Sequence, residues 1–295
     1  MSSILVNASA VTALQSLRMT QSSLNTTQKE ISTGLKISSA ADNASTWAIA
    51  EAMKSDKGVL STISDSLSGA NSVLNVATAA VKSALTVMND IKSAVAQAQQ
   101  PGADQAKILT SLQQLGAQLK SVVSSATFTG LNVTDGSLAT PVKFIASYNN
   151  GGGAAASVVG TIDLTVRDLT NTGGTGILEA AQATGAAAAT DFTGLVAADL
   201  AAATVADTLS NADKAIADLT TYASEIGATQ TRVKEQNEFI KTMNEALTTG
   251  VSSLVDADMN EASTRLQALQ TQQQLGVQSL SIANQNAQMI LKLFQ

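Results

Sequence analysis

The chain has 295 residues, 17 basic against 23 acidic, and a net charge of −6. It is long enough to bury a sizeable core in roughly one to three domains, and its acidic balance excludes a nucleic-acid binder that relies on Lys and Arg to neutralise phosphates. With no Cys and no His, the usual zinc sites, thiol nucleophiles and His-based triads are unavailable.

The N-terminus, "MSSILVNASAVTALQSLR", has no basic segment followed by a continuous apolar run, so no cleaved secretory signal is expected. No apolar run anywhere reaches the length of a membrane span. Instead the segment alternates three- and four-residue steps through Ala10, Leu14, Leu17, Gln21, Leu24, Gln28, Ile31 and Leu35. That is the seam of a coiled coil rather than the broad stripe of a globular helix. A second seam follows Leu60, Ile63, Leu67, Ala70, Leu74, Ala77, Val81, Ala84, Met88, Ile91, Val95 and Ala98, and stops at the turn residues Pro101 and Gly102. A shorter one follows through Ile108, Leu112, Leu115, Leu119, Val122 and Ala126. These spacings predict one helix through Leu60 to Ala98 and another through Ile108 to Ala126.

The middle of the chain changes period. Val142, Phe144, Ala146 and Tyr148 share one face of an alternating strand, and Ile162, Leu164 and Val166 share one face of another, around a glycine-rich turn. From Thr170 to about Asp199 the chain is rich in Gly, Ala and Thr with weak periodicity, which reads as a surface loop or a small, poorly specified projection. Helical spacing then resumes over 205–247, through Val205, Leu209, Ala212, Ile216, Leu219, Ala223, Ile226, Gln230, Val233, Asn237, Ile240, Asn244 and Leu247. Lys234–Glu238 and Lys241–Glu245 there stand at the spacing of i,i+4 ion pairs.

The last seam runs through Met259, Ala262, Leu266, Leu269, Gln273, Gly276, Leu280, Ala283, Ala287, Ile290 and Phe294. Between Leu266 and Leu291 there is no charged residue, although Gln and Asn recur too often for a membrane span. A helix from about Leu254 to Phe294 would be roughly 60 Å long and needs a partner along its whole length. The fold class is therefore mainly α: a long antiparallel coiled-coil helical hairpin with a small β-hairpin and loop region in the middle.

Catalytic and ligand signals are poor. Asp256, Asp258 and Asn260 occupy the first three ligand positions of a calcium-binding EF loop, but Glu261 and Gln267 stand where that loop needs Gly and Glu. Acidic residues at a helix start are the simpler reading. "NTGGTG" at 171–176 lacks the third glycine of a dinucleotide fingerprint, and no phosphate loop or nucleophile elbow occurs. No enzyme activity, cofactor or metal is expected.

The two ends resemble bacterial flagellin, the subunit of the flagellar filament. The N-terminal likeness lies in "NASAVTALQSLRMTQSSLNTTQKEISTGLKISSAADNAS", "SGANSVLNVATAAV" and "FTGLNVTDG", and the C-terminal likeness in "IGATQTRVK", "DADMNEAS" and "QLGVQSLSIANQNAQMILKLF". The resemblance implies self-assembly into an extracellular filament. Its inner coiled coil would come from residues 1–40 and 251–295, and its helical second layer from 41–140 and 200–250. Residues 141–199 would form a β hairpin and a variable surface loop, with little or no outer domain. Within that frame the assembly seam comprises Leu14, Leu17, Leu24, Ile31, Leu35, Leu266, Leu269, Leu280, Ile290 and Phe294. The resemblance also implies export without a cleaved signal. Expected partners are further copies of the chain, an export chaperone, a filament cap and hook–filament junction proteins, with neither nucleic acid nor membrane.

Some residues depart from the family pattern. Asp42-Asn43 stands where many relatives carry two Asp, and Ala44-Ser45-Thr46 where they carry Ala-Ala-Gly. Asp90, Ser93 and Ala94 stand where flagellins sensed by the vertebrate flagellin-recognising Toll-like receptor carry Arg and a Glu-Leu pair. That charge reversal implies weak receptor binding. The alternative within motility is a hook–filament junction protein, which shares flagellin-like ends. A chemotaxis-receptor hairpin would demand charged, water-facing termini, and a zinc protease housed in the middle is closed by the absence of His.

Overall fold

The computed structural model describes residues 7–138, 141–150, 158–170, 176–179, 181–186, 188–201 and 203–293. In chain order it contains α1 (Ala8–Thr33), α2 (Ala44–Ala98), α3 (Gln105–Ser125), β1 (Val142–Asn149), β2 (Val158–Leu164), α4 (Val205–Val255) and α5 (Met259–Leu293), with a single 3-10 turn at Ala197–Leu200 before α4. The chain forms two compact units. One comprises residues 1–57 and 245–295, the other residues 58–244, so α2 and α4 supply residues to both.

The core of the 58–244 unit starts with α2. All twelve seam positions from Leu60 to Ala98 are buried there, because a strict three–four alternation keeps one side of the helix turned inward over its length. Helix α3 begins at Asp104, whose carboxylate accepts the Lys107 N–H, and buries Leu112, Gly116, Leu119 and Val123. The sheet is one antiparallel pair with Val142 opposite Leu164 and a register shift between Ile145 and Ser147. Ala146, Ile162 and Leu164 are buried, while Ile145, Val158 and Val159 are exposed.

Helix α4 buries Ala215, Tyr222 and Thr229 in addition to Ala212, Leu219, Ile226, Val233 and Ile240. The expected positions Ile216, Ala223 and Gln230 sit at the margin of that stripe. The Tyr222 hydroxyl donates to the Val133 carbonyl, and burial pushes its pKa up to about 12. Beside it, Arg167 holds Glu225 through two bonds of 3.1 and 2.8 Å.

Three expectations are corrected. The described residues of 170–199 are not a loose surface loop: Leu178, Phe192 and Leu195 are fully buried, and the Leu178 and Phe192 N–H groups donate to Leu169 and Leu178 carbonyls at 3.0 and 2.8 Å. Its apolar residues follow neither helical nor strand period, so periodicity could not find them. Helix α4 continues to Val255 rather than ending at Leu247, because Gly250 alone does not stop a helix that is packed on one side; a Cβ on it would lie 3.8 Å from Met53 Sδ. The chain turns instead at 256–258. Lys241 reaches Glu238 at 4.0 Å rather than Glu245. Lys preceding Glu by four is the weaker orientation of such a pair, and both groups are well exposed.

Candidate assembly interface

The unit made of residues 1–57 and 245–295 is built around α1 and α5. Helix α1 starts at Asn7, whose Oδ1 accepts the Ala10 N–H at 3.1 Å while its Nδ2 donates to the Ala283 carbonyl at 3.0 Å. It ends at Gly34, which has φ +71°, a conformation that favours glycine, and whose N–H donates to the Glu30 carbonyl. Helix α5 starts where Asp258 Oδ1 accepts the N–H groups of Asn260 and Glu261 at 2.8 and 3.3 Å. That carboxylate caps a helix, as the acidic residues at this point suggested.

A short backbone junction ties the two helices together at this end. Leu35 and Asp256 form an antiparallel bridge. The Lys36 and Ile37 N–H groups both donate to Val255 O, at 2.7 and 3.2 Å, and the Ala257 N–H donates to Gly34 O at 2.9 Å. The following turn is held by Asp42, which accepts the N–H and hydroxyl groups of Ser38 and Ser39 at 3.0 to 3.1 Å. Those four bonds, the Ser38 N–H foremost, lower the exposed Asp42 carboxyl from 3.8 to about 2.

From the junction, α1 and α5 lie side by side. On α5 the residues turned inward are Ala262, Leu266, Leu269, Gln273, Gly276, Leu280 and Ala283, every one on the expected seam. Gln273 Nε2 donates to Gln21 Oε1 at 2.7 Å. Gly276 lets α1 approach so closely that a Cβ there would lie 3.2 Å from Leu17 Cδ1. On α1, Leu17, Leu24, Ile31 and Leu35 are half-buried. Leu14 is 37% exposed, with Ala13 turned inward in its stead, and Thr27 is buried where the expected seam has Gln28. The side chains of Ile290 and Phe294 lie outside the described residues.

The pair is thinly covered. Thr27 is the one buried residue of α1, and Val11, Met19, Leu275, Val277, Ile282 and Met289 are all exposed large apolar side chains. Arg18 is the only charged residue between Asn7 and Gln28, and none occurs between Leu266 and Leu291. In the other unit, Asp90 and Ser93 are exposed on α2 and Ala94 is half-buried. The Ser93 hydroxyl donates to Asn89 O at 2.8 Å, and the neighbouring Lys92 pairs with Asp213. No described helix is long and apolar enough to cross a membrane, and no described group of three or more Asp or Glu is placed to hold a metal.

Comparison with known proteins fixes what such ends belong to. Residues 4–139 match the bacterial flagellin N-terminal helical region, and residues 209–294 match the bacterial flagellin C-terminal helical region. The flagellin of Brucella melitensis biotype 1 is 39% identical over 296 residues, covering all of both chains. The chain belongs to the bacterial flagellins. Flagellin C of Rhizobium meliloti is 37% identical over 321 residues, again covering all of both chains. Flagellin FljO of Caulobacter vibrioides is 33% identical over 298 residues, covering 100% of this chain and 99% of that one. This flagellin is a structural subunit of the flagellar filament, which serves motility, and not an enzyme. It assembles with further copies of itself.

Proposed function

We propose that α1 and α5 carry the polymer contact of this flagellin and gain their full order only on polymerisation. One observation supports this above others: a helix pair nearly free of charge away from the junction, which hides a thin seam and leaves large apolar side chains on its outer faces. Ordering a helix residue costs roughly 1–2 kcal/mol of backbone entropy. Seam positions occupied by Gln, Gly and Ala return little of that in a lone subunit. Neighbouring copies would cover the outer faces and supply the rest. Charges there would cost several kcal/mol each after relaxation, whereas Gln and Asn can hydrogen-bond to neighbours or to water.

In this reading the seam is Leu17, Leu24, Ile31, Leu35, Leu266, Leu269, Leu280, Ile290 and Phe294, with Leu14 on the outer side of it. Residues 1–40 and 251–295 form the inner layer of the filament, residues 41–140 and 200–250 the second layer, and residues 141–199 the β hairpin and variable surface segment beside it. The chain leaves the cell unfolded and without a cleaved signal. An export chaperone, a filament cap and hook–filament junction proteins are its other partners. Asp90, Ser93 and Ala94 make it a weak ligand for the vertebrate flagellin receptor.

The experiment is electron microscopy of purified chain with and without sheared filament seeds at neutral pH. Long tubes growing from the seeds as monomer leaves the supernatant are the expected result. Capped seeds, from a chain that stays soluble and helical, would replace the polymer-contact reading with that of a junction protein.

A further inference from the structure

The chain holds seven Met and no Cys, so its thioethers are its only sulfur, and no thiol competes with them for a peroxide. Their exposure is uneven. Met88 is fully buried, and Met53 and Met243 are half-buried. The exposed ones among the described residues are Met19, Met259 and Met289, at 60%, 44% and 57%, and all three stand on α1 or α5. One turn either side of Met19 come Gln15, Ser16, Ser22 and Ser23, none of them charged, and Met289 lies near the end of the uncharged stretch from Leu266 to Leu291. Met259 is placed differently, with Asp256, Asp258 and Glu261 close to it in sequence.

We infer that Met19 and Met289 are an oxidation switch: a hydroperoxide converts them to sulfoxides in the free chain, and the oxidised chain no longer adds to a filament. The inference rests on the polymer-contact reading above and gives that contact a regulation. In the step, a lone pair of Sδ attacks the outer peroxide oxygen and forms the S–O bond. The O–O bond breaks, a proton passes to the departing oxygen, and hydrogen peroxide leaves as water. The sulfur loses two electrons and the peroxide gains them, so no further reagent is needed. The product carries a strong hydrogen-bond acceptor where the thioether was a flexible apolar chain. Covering that acceptor with the apolar side chains of a neighbouring copy costs free energy. Assembly in turn shields Sδ, so the switch acts before addition and spares the finished filament. Met259 serves as an internal control, because its sulfoxide shares the water that the acidic groups beside it already hold.

The test treats monomer and seeded filament with dilute hydrogen peroxide, removes the oxidant, maps the sulfoxides by peptide mass spectrometry, and measures the monomer left in equilibrium with filament. Met19→Leu/Met289→Leu and Met259→Leu chains are treated alongside; Met-to-Leu changes nearly conserve volume and keep helix propensity. In monomer, Met19, Met259 and Met289 are expected to oxidise before Met88. The oxidised unsubstituted chain and the oxidised Met259→Leu chain should each leave about tenfold or more monomer unpolymerised. The oxidised Met19→Leu/Met289→Leu chain should polymerise as before treatment, and reduction of both sulfoxide epimers by methionine sulfoxide reductases should restore the unsubstituted chain. In filament, oxidation at Met19 and Met289 should slow about tenfold or more relative to monomer. An unchanged monomer concentration after oxidation of the unsubstituted chain would overturn the inference. So would an equal loss in the Met19→Leu/Met289→Leu chain, or equal oxidation rates at both residues in monomer and filament. Failure of the untreated, unsubstituted chain to extend seeds would instead overturn the polymer-contact reading itself.

Discussion

A Cβ at Gly116 of α3 would lie 2.8 Å from the Phe192 carbonyl oxygen and 2.9 Å from that of Thr193. Those atoms are backbone, so they cannot swing aside as a side-chain tip could. Gly116→Ala should destabilise the 58–244 unit by about 1–3 kcal/mol, read as a lower urea midpoint. Tyr222→Phe strips the Val133 carbonyl of its buried donor, and should cost about 1–2 kcal/mol in the same measurement. Asp42 predicts a pH response. Its folded pKa is depressed, so its contribution is fully present above the ordinary value near 3.8 and is lost as pH falls toward about 2. Near-surface order around residues 38–42, followed by amide exchange, should loosen over that window, and Asp42→Asn should remove the dependence. At the receptor patch, Asp90→Arg with Ser93→Glu and Ala94→Leu should raise receptor-reporter activation about tenfold or more if the reversed charge is what weakens it. Strong activation by the unsubstituted protein would refute that account.

At the scale of elements, the sequence was most readable where one period runs unbroken. Helix α2 buries its twelve seam residues as spaced, and α5 turns inward its expected seam from Ala262 to Ala283, while Met259 stands 44% exposed. The strands likewise alternated as expected. What escaped was governed by tertiary contact. Thr27 and Ala13 face inward where the spacing picked out Gln28 and Leu14. Tyr222 lies one residue before the expected Ala223, and its burial goes with the bond its hydroxyl donates to the Val133 carbonyl. The fully buried Leu178 and Phe192 are held by backbone bonds between distant turns, and the Leu195 carbonyl accepts from Gln113 Nε2; such contacts leave no periodic trace. Of the assembly face, the missing charges were visible from composition, but the grip of Gly276 on Leu17 was not, since a glycine on a seam reads as weakness until its partner is known. Leu280→Gln should therefore raise the monomer concentration at equilibrium about tenfold or more, while leaving the urea midpoint of the 58–244 unit unchanged.

For the whole molecule, the consequential feature is the junction at Leu35 and Asp256. Two segments more than 200 residues apart in sequence are clamped there by Val255 O and Gly34 O. Closing that distance carries a loop entropy that grows only slowly with length. Once it has been met, α1 and α5 can wind together from the junction outward, each new turn adding to the last like the teeth of a zip. Order in time then follows distance from the clamp: residues near Ile31 and Ala262 settle first, and the chain ends last. Trimming a terminus shortens the closed part without preventing its start. Gly34→Val, by denying the chain its left-handed exit, costs about 1–2 kcal/mol at the first tooth and should slow seeded growth more than an equally destabilising change at Ala10 or Ala283.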